Sequence, residues 1–449
     1  MTNHLTAPRL TLALALVTLA SGLSLEAAAT PIYAIRAGNA CDTCHMEPSG
    51  WANPDLKDRL CSMDCNGCHV NPSGGGMRTS LGLHYGRQVL PTWGERPSEH
   101  YDPEKYRPEG HPKKGRYRIT EGFSGWWPGD TPFKTIDERY GDVDPDPSFR
   151  VGGDFRFMNL YNITDDEAAF FPMQADVYLM GKPLDKVTMY ASAGLRGYKE
   201  RPDDLEAIDY FISREAFIKA GQFDYNSYVR AGRFNPSYGW RLPNHTAYTR
   251  RDLGFGENRQ VFGMEAGINP NYLYANVAGF AQGLEGWPGD DEPFGYGSTF
   301  NVGWRDLGWQ VGGSLHYLNR LEDGNDNDDV TTGVNWGFNL YPAVYLGEVD
   351  ARFTLTDGEN VTSLFAYHEL NWLVLRGWSL KGSYEWQDQN IDILDDHSHR
   401  VSLGGDWHPY TYTHIEALYR RTWAGGAYPI TELTDAQADE VLAILHAWF

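Results

Sequence analysis

Two short stretches of the sequence share one pattern of thiol and imidazole side chains. Residues 41–50 read CDTCHMEPSG and residues 65–74 read CNGCHVNPSG, so each holds Cys-x-x-Cys-His and, after two further residues, Pro-Ser-Gly. In an exported chain, Cys-x-x-Cys-His is the attachment pattern of c-type haem. The two thiols reach the two vinyl groups of one porphyrin, and the adjacent histidine then lies under the iron as its axial ligand.

The repeated pattern predicts two covalent haems c on six residues: Cys41, Cys44 and His45 for the first haem, and Cys65, Cys68 and His69 for the second. Four cysteines and two histidines could also form a structural zinc site, and four cysteines alone could form two disulfides. Neither alternative explains why a histidine directly follows the second cysteine in both copies. We therefore favour haem, with a histidine of each motif as the axial ligand of its iron.

The sequence leaves the ligand on the far side of each iron open. His84, in LGLHYGRQ, has the best position among the histidines, and Met77 is a weaker candidate beside Met63. The alternative for His84 is an ordinary surface residue. Cys61 belongs to neither motif, and a buried thiol, an unusual axial ligand and a redox-sensitive residue are all open for it.

The first 29 residues read as a secretory signal. Arg9 precedes the apolar run LTLALALVTLASGLSL, and an Ala-x-Ala cleavage sequence ends at Ala29. This order of basic, apolar and small-residue regions is typical of a signal peptide that is removed on export. Export places the mature chain in an oxidising compartment, where free thiols are unusual. The cysteines therefore call for a specific chemical role.

The composition is typical of a transmembrane β-barrel. The chain has 449 residues, a mean hydropathy of −0.50 and 14% aromatic residues, and long apolar runs are absent after the signal peptide. Such barrels give a weak hydropathy signal because lipid-facing and lumen-facing residues alternate along each strand. The net charge of −22 argues against nucleic acid as a partner, since no basic patch stands out against it.

Segments of about ten residues alternate between apolar and polar side chains, as in membrane barrels. In WSLKGSYEW at 378–386, every second residue is apolar or glycine, and the residues between them are Ser, Lys, Ser and Glu. VTMYASAGLR at 187–196 alternates in the same way, and this period of two predicts strands. The polar positions expected to face the lumen include Arg196, Gln310, His316, Lys381, Glu385, His414 and Arg420.

Seven tight turns and eight longer polar connections alternate from residue 149 onward and predict 16 strands. Short periplasmic turns and longer outer loops are the habit of outer-membrane barrels, whereas a soluble β-sandwich has no reason to show them. The terminal aromatic residue Phe449 is also typical of outer-membrane strands. The acidic stretch EDGNDNDD at 322–329 is expected to be a solvated loop, because it resembles a calcium site in composition but lacks EF-hand spacing.

The predicted fold class is all-β: an outer-membrane β-barrel of about 16 antiparallel strands with a small N-terminal α-helical or irregular diheme cytochrome c module. The predicted boundaries are residues 1–29 for the signal peptide, 30–90 for the diheme module, 91–146 for a Pro-rich linker and 147–449 for the barrel. The predicted location is the outer membrane, with its lipid as one partner.

A signal peptide, an N-terminal Cys-x-x-Cys-His module and a C-terminal barrel in one chain resemble the fused cytochrome–porins. These are outer-membrane proteins associated with extracellular electron transfer and iron(II) oxidation. The resemblance implies that Cys41, Cys44 and His45 match the family's haem site and that the barrel matches its pore. Family members carry one such motif, so this chain resembles a two-haem variant. Residues 229–251 also resemble phosphate-selective porins.

Two functions fit this predicted architecture. The first is a conduit that moves electrons between periplasmic c-type cytochromes or other carriers and an extracellular donor or acceptor such as iron. An iron(II) oxidase activity would be a form of this first function, with iron as the extracellular electron donor. The second is a diffusion porin with a tethered periplasmic diheme carrier or sensor. A peroxidase is a weaker option, because no residue pattern identifies an open iron site with an acid–base partner.

The motif count predicts two haems per chain, which a pyridine haemochrome assay on the purified full-length protein measures directly. Replacing Cys65 and Cys68 together with alanine should lower the value to one, because each motif attaches its own porphyrin. His69→Ala should change the spectrum of one haem and leave the other intact. One haem in the unmodified chain, or an unchanged value in the double variant, contradicts the two-haem prediction.

Overall fold

The structure is a computed structural model of the chain. It describes residues 68–84, 86, 90–93, 147–195, 210–244, 246–256, 259–269, 272–284, 294–305, 309–322, 325–340, 342–356, 360–375, 377–394, 396–424 and 437–449. The predicted signal peptide and the linker residues 94–146 lie outside these ranges. So do four of the six predicted attachment residues, namely Cys41, Cys44, His45 and Cys65.

Sixteen antiparallel strands form one closed barrel in the described part of the chain. Each strand pairs with the next along the chain, and β16 pairs with β1 to close the wall. The strands are β1 Phe149–Asn162, β2 Glu167–Leu184, β3 Val187–Leu195, β4 Phe211–Phe223, β5 Ser227–Phe234, β6 Val261–Ile268, β7 Leu273–Gln282, β8 Gly295–Arg305, β9 Trp309–Glu322, β10 Asn325–Leu340, β11 Ala343–Leu355, β12 Asn360–Leu375, β13 Trp378–Asp388, β14 His397–Trp407, β15 Thr413–Ala424 and β16 Gln437–Trp448. The predicted barrel of 16 strands is confirmed, whereas the diheme module stays a prediction.

The helices of the described residues are short. The helix α1, Ser80–His84, precedes the barrel, and α2, Tyr248–Arg251, lies in the connection between β5 and β6. A single 3-10 turn, Asp224–Asn226, joins β4 to β5. No helix among the described residues is long and apolar enough to cross a membrane.

Side chains along the wall alternate between the outer face and the lumen. In β9, Val311 and Leu315 are exposed on the outside, whereas Gln310 and Ser314, which directly precede them, are buried on the inside. The residues predicted to face the lumen are buried at Gln310, His316, Lys381, Glu385 and Arg420 and half-buried at His414, while Arg196 lies outside the described residues. The period of two therefore predicted the inner face correctly at these six described positions.

The described part of the connection between β5 and β6, residues 235–244, 246–256 and 259–260, folds into the lumen. The Trp240 N–H donates to the Glu348 carboxylate of β11 at 3.2 Å, and the Tyr248 N–H donates to Glu385 of β13 at 2.9 Å. The sequence predicts only a long outer connection here. Its inward course follows from its apolar side chains, which leave water by packing against the wall, as Trp240 does beside Val344.

The expectation of a solvated loop at residues 322–329 is wrong. The strands β9 and β10 run through this stretch and leave only residues 323–324 between them. The Asp328 carboxylate accepts hydrogen bonds from the Tyr317 hydroxyl at 2.8 Å and from the Asn319 amide at 2.9 Å. Donors on the neighbouring strand thus satisfy this carboxylate. The acidic residues of β10 therefore remain paired with β9 instead of forming a loop.

The outer face of the barrel is apolar. Exposed apolar side chains occur on most strands and include Val177, Leu179, Met264, Val277, Phe300, Leu315, Val334, Leu370, Leu380 and Leu403. A closed wall pairs its backbone groups internally, and an apolar exterior matches the hydrocarbon of a bilayer. The protein is therefore an outer-membrane β-barrel, as the sequence predicts.

A charge on the outer face should destabilise the barrel. Leu315 lies at the middle of β9 and is 47% exposed. We expect Leu315→Arg to lower the free energy of unfolding in lipid vesicles by about 2–4 kcal/mol, because the guanidinium must enter hydrocarbon. Leu315→Ala is the matched control and should cost much less. Equal losses in the two variants, measured by urea unfolding, contradict the assignment of this face to lipid.

Candidate functional site

Residues 68–84, here called the lumen segment, lie against the inside of the barrel wall. Asn71 is fully buried, and its amide donates to both carboxylate oxygens of Glu215 on β4, at 2.6 and 2.8 Å. The Arg230 guanidinium of β5 donates to the Asn71 amide oxygen at 2.7 Å. One asparagine of the segment is thus bound by two charged groups of the wall.

A second set of contacts joins the lumen segment to β1. Arg78 donates to both oxygens of Asp154 at 2.8 Å, and Arg150 donates to the Ser80 hydroxyl at 2.6 Å. The Arg78 guanidinium also lies 5.0 Å from the ring of Trp448 on β16. A guanidinium that binds both oxygens of a carboxylate fixes orientation as well as position. The segment is therefore held at two places on the wall, one on β4 and β5 and the other on β1.

The lumen segment folds as a tight hairpin. The Thr79 N–H donates to the Cys68 carbonyl at 2.9 Å, and the three glycines at 74–76 between them all have positive φ. A Cβ atom on Gly76 would lie 2.6 Å from the hydroxyl oxygen of Tyr190 on β3. Glycine is required here both by the left-handed backbone and by the close approach of the wall.

His69 is the predicted axial ligand that the structure describes. Its Nδ1 atom is buried and has no hydrogen-bond partner among the described residues. Burial, together with the positive charges of Arg78 and Arg241, lowers the pKa of His69 from 6.5 to about 3. The imidazole is therefore neutral at physiological pH, which is the form that binds metals.

The other predicted ligands occupy different surroundings. Met77 is buried in an apolar cluster with Val70, Tyr178 and Tyr190, so its side chain has a packing role in the segment. His84 is the last residue of α1. The structure does not test either residue as a distal ligand, and Met63 and Cys61 lie outside the described residues.

Cys68 and His69 fit the second half of a haem attachment site. A thiol and a neutral imidazole are the donors that Cys-x-x-Cys-His supplies to c-type haem. A buried ring nitrogen without a partner costs free energy unless a bound group or water satisfies it. The donor types and this unsatisfied atom are therefore compatible with haem, and the site they would form lies within the lumen.

Sequence reasoning did not identify the residues that hold the lumen segment. The alternation along each strand puts Arg230 of β5 and Lys219 of β4 on the inner face of the wall. It does not identify the groups that these side chains bind. Lys219 donates to the Val70 carbonyl at 2.9 Å, and Asn71 and Glu215 are 144 residues apart in the chain. No local pattern pairs residues at such a separation, so only the folded barrel reveals them.

The sequence matches no protein-family model and no curated protein. The fold is similar to that of solved porins. OmpF of Salmonella typhi, solved in complex with daunomycin, aligns with a TM-score of 0.53 at 10% identity and covers 68% of this chain and 99% of that chain. The outer-membrane-expressed OmpT of Vibrio cholerae aligns with a TM-score of 0.50 at 11% identity, covering 67% and 97%. At these identities the likeness shows a porin-like barrel fold.

Releasing the lumen segment should raise the ion conductance of the barrel. We expect the double variant Asn71→Ala and Arg78→Met to conduct more in planar bilayers, because losing one partner of a buried ion pair costs about 3–5 kcal/mol and frees the segment. Arg421→Met is the control, since it breaks an exposed pair with Asp439 at 3.7 Å. Unchanged conductance in the double variant contradicts the idea that the segment obstructs the lumen.

Proposed function

We propose that this outer-membrane barrel is an electron conduit that carries two haems c and exchanges electrons between periplasmic carriers and an extracellular donor or acceptor. The observation that carries the proposal is the position of the second motif: Cys68 and His69 belong to a segment bound to the inside of the wall. The proposal includes membership in the fused cytochrome–porins, as a two-haem variant, on the basis of the two sequence motifs that precede the barrel.

The physical problem of such a protein is the bilayer itself. Its hydrocarbon core is about 30 Å thick and insulating, so an electron needs carriers within that thickness. A closed wall of 16 strands keeps lipid away from anything inside it. A haem attached beside Cys68 and His69 would therefore lie where such a carrier is needed.

The residues of the chain have clear roles in this proposal. When bound, haem supplies one-electron exchange at its iron, and axial ligands and burial set the potential. The Arg78–Asp154 ion pair and the Asn71–Glu215 hydrogen bonds fix the attachment residues relative to the wall. His69 offers a neutral imidazole, and the hairpin of the lumen segment together with the inward β5–β6 connection reduces the space left for water.

A diffusion porin with a tethered diheme carrier is the second candidate. The likeness to the OmpF and OmpT folds favours it, because the barrel wall alone resembles those of porins. The two candidates differ in what crosses the membrane. A porin passes small solutes, whereas a conduit passes electrons while the lumen segment stays in place.

Electron flux across liposomes distinguishes the two. Full-length haem-loaded protein is reconstituted into liposomes that enclose a reduced dye too large for the lumen, and an impermeant oxidant is added outside. We expect dye oxidation that depends on the protein and survives when solute permeation is blocked. The double variant of Cys65 and Cys68 to alanine should lose most of this flux, since it lacks the second haem.

The controls distinguish electron transfer through the protein from leakage of the dye through the barrel. A fluorescent solute of the dye's size, enclosed in the same liposomes, should remain inside with both proteins. If the enclosed dye is oxidised no faster than in liposomes without protein, the conduit proposal is wrong. Small-solute uptake with no dye oxidation supports the diffusion porin, and equal oxidation by the unmodified protein and the double variant shows that the second haem is not part of the route.

A further inference from the structure

Three lumen-facing side chains at the short-turn end of the barrel bring nitrogen and oxygen ligands together. Asp406 of β14 lies directly opposite Glu416 of β15 in the paired strands. His414 precedes Glu416 by two residues and so shares its face of β15. The side chains of Asp406, His414 and Glu416 are 7%, 17% and 11% exposed. One ligand atom from each residue lies within 4.8 Å of those of the other two.

Several carboxylates lie close together around these side chains. Two carboxylates that lie directly opposite each other on neighbouring strands repel. Glu369 of β12 adds a third carboxylate, since Lys381 Nζ lies 2.9 Å from Glu416 Oε1 and 3.7 Å from Glu369 Oε2. The Lys381 ammonium group is thus shared between Glu416 and Glu369. A second cation between Asp406 and Glu416 would therefore reduce the repulsion that the strand register imposes.

We propose that Asp406, His414 and Glu416 bind one divalent first-row transition-metal ion. An imidazole with two carboxylates suits zinc, iron or manganese, whereas calcium and magnesium prefer oxygen ligands alone. Metal–ligand bonds of about 2.0–2.2 Å require the three ligand atoms to converge slightly from their present spacing. Side-chain rotation supplies this movement, and water in the lumen completes the coordination.

The ligand atoms are already held near the required arrangement. His414 Nε2 lies 2.9 Å from Asp406 Oδ1, and the ring of His408 stacks on that of His414 at a centroid distance of 4.5 Å. The stacked neighbour limits rotation of the His414 ring. Ligands that are oriented before binding lose less conformational entropy when the ion enters.

The candidate metal site also borders the contacts of the lumen segment. The rings of His414 and His446 lie 6.2 Å apart, and His446 Nε2 lies 2.6 Å from Asp154 Oδ1. Asp154 is the carboxylate that binds Arg78 of the segment. All three proposed ligands nevertheless come from the wall, so metal binding does not depend on haem attachment or on electron transfer.

Zinc binding to the full-length, chelator-treated protein in detergent tests the proposal. We expect isothermal titration and equilibrium dialysis to show one Zn²⁺ ion per chain that is lost, or bound at least about tenfold more weakly, in Asp406→Asn and in His414→Gln. Lys381→Met should bind Zn²⁺ more tightly than the unmodified protein, because the ion then no longer shares Glu416 with an ammonium group.

His316→Gln is the matched control, because it removes another lumen-facing imidazole, on β9, which contacts Thr299 and Phe280 and is not one of the three ligands. It should keep the bound ion. Far-UV circular dichroism of each variant shows whether the barrel has formed. The proposal is overturned if His414→Gln retains the affinity of the unmodified protein, or if His316→Gln weakens binding as much as His414→Gln does.

Discussion

Closure of the barrel between β1 and β16 is the constraint on which the rest of the structure depends. In hydrocarbon, each backbone N–H and C=O must find its partner within the protein, so a sheet with an open edge cannot persist. The register that places Asp154 opposite Trp448 removes that edge. It also puts the Asp154 carboxylate inside the lumen, where it binds Arg78. One strand pairing therefore both seals the wall and creates an anchor for the lumen segment.

The lumen is organised by the cost of burying charge. A buried guanidinium or carboxylate is tolerated only where partners satisfy it. Glu215 and Arg230 are both buried on the wall, and Asn71 offers an amide donor to one and an amide oxygen to the other. The segment thus completes a polar network, which selects one position for it in a way that apolar contact alone does not.

The same enclosure has consequences for function. A segment that occupies the lumen reduces the space for solutes and at the same time brings Cys68 and His69 within the wall. In the proposed conduit, solute flow and electron transfer would therefore compete for the same space. The candidate metal ligands Asp406, His414 and Glu416 lie beside this space, at the end where the short turns join the strands.

The sequence by itself determined two Cys-x-x-Cys-His motifs, an alternation of turns and connections that counts 16 strands, and the inward face at positions such as Lys381 and His316. These are local properties: a motif depends on spacing along the chain, and a strand alternates with a period of two. Composition misled at residues 322–329, because the donors that keep Asp328 in a strand lie on the neighbouring strand. Only the tertiary structure decided what meets inside the barrel. Asn71 and Glu215 come together across 144 residues because closure and register, which no local pattern records, bring distant strands around one lumen.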